Sequence, residues 1–78
     1  MKVLVLGSGN IGSTAADDLA KSMSSCEVVV ADQDARRAKN VADRIGESNV
    51  SWARVDAAKE GQLLHALKDC ELAMGFLP

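Results

Sequence analysis

Val3-Leu4-Val5-Leu6-Gly7-Ser8-Gly9-Asn10-Ile11-Gly12 joins four consecutive apolar residues to a G-x-G-x-x-G, and the reading of that junction decides the fold. Apolar side chains at adjacent positions, with no alternation, mark a strand buried on both faces, and so a parallel sheet with helices on each side. After the glycines, Ile11, Ala15, Ala16, Leu19 and Met23 recur at helical spacing. The segment therefore reads as strand, tight turn and a helix over about Asn10–Met23.

The same unit repeats outward. Apolar runs at Val3–Leu6, Val28–Ala31, Val50–Val55 and Leu72–Leu77 begin 25, 22 and 22 residues apart, with helical stretches between them. The second helix starts at Asp34, whose carboxylate can accept from free backbone N–H groups. It shows one face through Ala38, Val41, Ala42 and Ile45, and it stops at Gly46. The third is shorter, about Lys59–Lys68, with Leu63, Leu64 and Leu67 as its stripe and Asp56 as its expected cap. Val50-Ser51-Trp52-Ala53-Arg54-Val55 is mixed in polarity, which suits a sheet edge. The expected fold class is α/β, a Rossmann-like doubly wound parallel sheet represented by its N-terminal half, β-α-β-α-β-α-β, in strand order 3-2-1-4. The 78 residues read as one partial domain, a piece of a longer chain.

Composition narrows the function. With 47% hydrophobic residues, 26% charged residues and a net charge of −2, the chain is an ordinary globular one that offers no basic surface to nucleic acid. No apolar run approaches the roughly 20 residues of a membrane helix. The start carries no secretory signal pattern either, so a cytoplasmic location is expected. Cys26 and Cys70 are not spaced as metal ligands. Placed before the two strands that flank the central one, they would lie about 9–10 Å apart. That is too far for a disulfide, and free thiols are expected.

The glycine motif points to a dinucleotide. Placed between a buried strand and a helix, Gly7 makes the tight turn, Gly9 lets a pyrophosphate approach the backbone, and Gly12 lets the helix pack close on the sheet. Free N–H groups of the first helical turn, with the positive end of the helix dipole, would face the phosphates, engaging Ser8, Asn10 and Ile11 as well as the glycines. Asp32 lies 20 residues after Gly12, at the end of the second strand, where an acid accepts from the adenosine ribose hydroxyls; Gln33 follows it. A carboxylate there repels a 2′-phosphate and so favours NAD over NADP. Arg36 and Arg37, in the next helix's first turn, either stand at the surface or clamp that phosphate, which keeps NADP open.

Met1 to Gly12 (M-K-V-L-V-L-G-S-G-N-I-G), V-V-V-A-D-Q-D at the second strand, A-R-V-D-A at the third and M-G-F-L-P at the end together resemble the saccharopine dehydrogenase family, its lysine 6-dehydrogenase-like members among them. The resemblance spans the whole chain but only the family's N-terminal nucleotide-binding segment. It implies that the glycine loop holds the pyrophosphate and Asp32 the ribose. It also implies that Val55-Asp56-Ala57 lies near the adenine and that Phe76-Leu77-Pro78 approaches the cofactor from the fourth strand. Asp56, Ala57, Leu77 and Pro78 thus join the expected cofactor contacts. The family's catalytic residues match no position here, so no catalytic residue is expected.

Other residues read as structural. His65 sits mid-helix, Trp52 packs at the sheet edge, and Asp17 and Asp18 make an exposed acidic face. Ser13 and Thr14 could add hydroxyl contacts to a phosphate. The leading reading is a module of an NAD(P)-dependent oxidoreductase acting on an amino or imino acid. The alternative is a regulatory NAD- or ATP-sensing module of the potassium-transport type, without catalysis. An apolar fourth strand at an open edge would also make the chain self-associate.

Overall fold

The computed structural model describes residues 1–7 and 9–75, the side chain of Ile11 excepted. Seven elements alternate: β1 (Lys2–Leu6), α1 (Asn10–Ser22), β2 (Glu27–Asp32), α2 (Ala35–Ile45), β3 (Val50–Arg54), α3 (Glu60–Leu67) and β4 (Leu72–Gly75). The four strands form one parallel sheet in the order β3-β2-β1-β4, as the motif spacing predicts. The expected extension of the last strand to Leu77 runs outside the described residues.

Consecutive apolar residues separate onto two sheet faces. Val3 and Val5 with Val28 and Val30 meet Ala16 and Ala20 of α1 and Ala38 and Val41 of α2. Leu4, Leu6, Val29 and Ala31 face the other way, toward Leu63, Ala66 and Leu67 of α3. The two-sided burial that defines β1 is thus produced by two helices on one face and one on the other.

The buried stripe of α1 differs from the expected one. Ala16 and Ala20 are buried, Ala15 is half-buried, and Met23 is exposed and lies past the helix end. Gly12, Ala16 and Ala20 recur every four residues, and their small size brings the helix close onto the valines of β1 and β2. α2 matches its expected face and signals. Asp34 Oδ1 accepts from the N–H groups of Arg36 (3.0 Å) and Arg37 (3.3 Å). At the other end Gly46 takes a left-handed φ of 70°.

Asp56 does not cap α3. Lys59 holds that position, while Asp56 builds the preceding turn, accepting from Ala58 N–H on Oδ1 (3.0 Å) and from Lys59 N–H on its carbonyl (2.9 Å). An Asp three residues ahead of the cap resembles a cap in sequence, because the same side-chain-to-backbone bond serves both turns. Asn49, unremarked in sequence, ties three elements together by donating from Nδ2 to the carbonyls of Ala20 (3.2 Å) and Cys26 (2.8 Å). Both cysteines are free thiols, as expected. Trp52 sits half-open on the β3 edge and His65 is exposed on α3. Among the described residues no helix is long and apolar enough to cross a membrane.

Candidate functional site

Register places the site. Leu6 of β1 pairs with Ala31 of β2 and with Gly75 of β4, while Asp32 pairs with Arg54 of β3. The carboxyl ends of all four strands therefore finish at one level, and the chain changes direction between β1 and β4. Open parallel sheets bind ligands at such a switch point.

At the exit of β1 the backbone turns at Gly7, with φ 92°, a conformation that side chains other than glycine strongly disfavour. Its N–H donates to Ala31 O at 2.8 Å, continuing the ladder to β2, so Gly7 contributes shape to the site and no free amide. Gly9 differs. It starts α1 in extended geometry, φ −71° and ψ −169°, which any residue can adopt. Among the described residues, its chain neighbours aside, a Cβ placed on Gly9 would meet no atom within 4 Å. Among the described residues, neither conformation nor packing requires glycine at this position.

Among the described residues no side chain caps the start of α1, and no acid occupies its first turn. α2 contrasts with it, because Asp34 satisfies amides there. The N-terminal amides of α1 thus face the level of the strand ends with the helix dipole behind them. Ser13 and Thr14 turn their hydroxyls back to Asn10 O, at 3.1 and 2.8 Å, so their protons are engaged within the helix and are not aimed outward. Gly12, in the first turn of α1, is buried, in keeping with its packing role.

Asp32, 8% exposed, is the one charged residue among the described residues that is buried. Contacts among the described residues fix it at the end of β2. Its Oδ1 accepts from Asp34 N–H at 2.9 Å, its carbonyl accepts from Val55 N–H at 3.0 Å, and its Oδ2 lies 4.0 Å from Arg37 Nη1. The Val55 bond carries the start of Val55-Asp56-Ala57 up to Asp32. Asp56 and Ala57 follow, half-buried, and Gln62 Oε1 accepts from Asp56 N–H at 3.0 Å. Gln33 is exposed beside Asp32.

The structure therefore brings Gly7, Gly9, Asn10, Asp32, Gln33, Asp56 and Ala57 to one end of the sheet. Ser8, Leu77 and Pro78 lie outside the described residues, as does the side chain of Ile11. Sequence reasoning overlooked Asn40 and Arg44. With Arg36 they follow one another every four residues along α2, a spacing legible in the sequence, and they line one cleft with Asp34, Arg37 and Val41. Among the described residues no cluster of metal-ligating side chains is present.

Compared with known protein families, residues 3–78 match the one described as the saccharopine dehydrogenase NADP binding domain. The match agrees with the order of the strands and with the glycine turn. It implies a dinucleotide-binding module of an oxidoreductase.

Proposed function

The chain belongs to the saccharopine dehydrogenase NADP-binding domain family, and on that premise we propose that it grips the adenosine half of NAD(P) for an oxidoreductase acting on an amino or imino acid. The pyrophosphate lies against Gly9 and the first turn of α1, and the adenosine ribose hydroxyls donate to Asp32. Hydride chemistry belongs to the cofactor; the protein orients it and excludes competing partners.

The observation that carries the reading is the pairing of Gly9 with Asp32. One is a glycine that neither its backbone conformation nor its contacts among the described residues require. The other is a buried carboxylate held in the sheet end by a backbone amide. Both have a purpose once a diol and a diphosphate lie between them. The family match favours the oxidoreductase over a nucleotide sensor without catalysis.

Calorimetry of the chain with NADH, NADPH and ATP, repeated on Asp32→Ala, tests the reading. NADH is expected to bind better than ATP, and the variant to lose NADH by about tenfold or more while holding NADPH, since a ribose–carboxylate hydrogen bond contributes roughly 1.5–3 kcal/mol. Equal loss of both dinucleotides in a variant of unchanged thermal stability would remove Asp32 from the ribose.

The self-association expected from sequence also stands as a proposal. Among the described residues β4 pairs only with β1, and Leu72 on it is 48% exposed. An uncovered apolar strand edge is a template for another strand.

A further inference from the structure

α2 carries positive charge out of proportion to the chain. Its 11 residues hold four of the nine Lys and Arg residues, against one acid, in a protein whose net charge is −2. Lys39 is paired with Asp43 at 2.9 Å. Arg36 and Arg44 are exposed and form no ion pair among the described residues. With Asp34, Arg37, Asn40 and Val41 they line a cleft of about 330 Å³ along the helix. Its lining includes no described residue of β2 or of the glycine turn, so it is separate from the candidate nucleotide site. Arg44 also lines the cleft between α1 and α2, about 380 Å³, with Asn10, Ser13, Thr14 and Lys21. The Lys21 ammonium there is held by Asp17 at 2.9 Å, whose hydrogen bond and charge raise it above its ordinary range. Arg44 is thus the uncommitted cation that the two clefts share.

Spacing along α2 defines what fits. Arg36, Asn40 and Arg44 stand at four-residue steps on one helix face, which are rises of about 6 Å. Alternate side chains of an extended chain recur on one face at about 6.6 Å. Carboxylates four residues apart on such a chain therefore stand over Arg36 and Arg44, and the residue between them meets the amide of Asn40. Guanidinium forks take carboxylates through paired hydrogen bonds, and the arginine stems offer apolar flanks. Nucleic acid fits worse. Among the described residues no aromatic side chain lines either cleft to stack a base, and Asp34 adds a carboxylate to the first. We propose that the α2 cleft docks an extended acidic segment of a partner protein, with carboxylates held by Arg36 and Arg44. This docking does not depend on the dinucleotide reading.

An acetylated pentapeptide with glutamate at its two ends, glutamine at the centre and serine between is the probe. Amide shifts of the isotope-labelled 78-residue chain, followed by NMR during titration, report both the place and the strength of binding. Saturable shifts confined to α2 are expected, and they should weaken as added salt screens the charges. Arg36→Gln and Arg44→Gln should each lower the affinity about twofold to fivefold, and the double variant roughly 4- to 25-fold. Both positions are exposed, so thermal unfolding should not change. A peptide of the same composition with its glutamates adjacent should bind about twofold to fivefold more weakly, because it reaches only one of the two arginines. Shifts centred away from α2, equal affinity for the rearranged peptide, or full affinity in the double variant overturns the proposal. Tighter binding of a short single-stranded oligonucleotide at the same arginines also overturns it and assigns the cleft to nucleic acid.

Discussion

Gly9→Ala separates binding from folding more cleanly than any other change in this chain. Two effects on stability oppose each other. Alanine narrows the unfolded ensemble, which stabilises by about 0.4–1 kcal/mol where the native backbone suits it; at φ −71° and ψ −169° it does. Against this, alanine is a poorer helix start than glycine, and Gly9 is the N-cap of α1, at a cost of roughly 0.5–1 kcal/mol. Among the described residues, chain neighbours aside, the added methyl meets no atom within 4 Å, so no steric strain enters from them. The net change should stay within about 0.5 kcal/mol, which for a domain of this size is less than about 4 °C in Tm.

Binding should respond differently. The methyl occupies the space where the pyrophosphate approaches, pushing it back from the amides of α1. Loss of one charge-assisted hydrogen bond costs about 1.5–3 kcal/mol, or roughly 10- to 100-fold in affinity for NADH. Titration of NADH fluorescence beside a thermal melt reads both quantities. Gly46→Ala is the mirror control, because its φ of 70° and its distance from the strand ends put the whole penalty in folding. About 1 kcal/mol and 4–8 °C should be lost there with affinity intact. Unchanged NADH affinity in Gly9→Ala would refute the placement of the pyrophosphate. A large fall in Tm would refute the claim that the chain itself does not need this glycine.

Asp34→Ala removes the carboxylate that accepts from Arg36 and Arg37 N–H, and thermal unfolding followed by circular dichroism should drop by about 4–8 °C, corresponding to roughly 1 kcal/mol. Leu72→Lys places a charge on the exposed face of β4, and sedimentation should show the self-associated species giving way to monomer; a chain that is already monomeric at high concentration contradicts the edge-pairing idea.

The fold was legible because its strongest signals are local. Four consecutive apolar residues in β1, a turn requiring positive φ at Gly7, and the Asp34 and Gly46 signals around α2 each express a constraint acting within a few residues. They survive any tertiary context. The misread details depend on distance between elements. Met23 was taken for a core residue and Ala20 was passed over, because helical spacing alone cannot say how close α1 approaches the sheet; the small side chains at Ala16 and Ala20 set that approach. Asp56 looked like a cap because turn and cap use the same bond.

The candidate site divides in the same way. Gly7, Gly9 and Asp32 were found by their spacing, since strand length and helix length fix how far apart a turn and the next strand's end must be. What spacing could not give is the company Asp32 keeps. A guanidinium five residues later stands 4.0 Å from it, because α2 begins at Ala35 and turns Arg37 back over the end of β2. An acid at that position therefore does not by itself exclude the phosphorylated cofactor, and the charge placed opposite the acid is set by the helix start rather than by the motif.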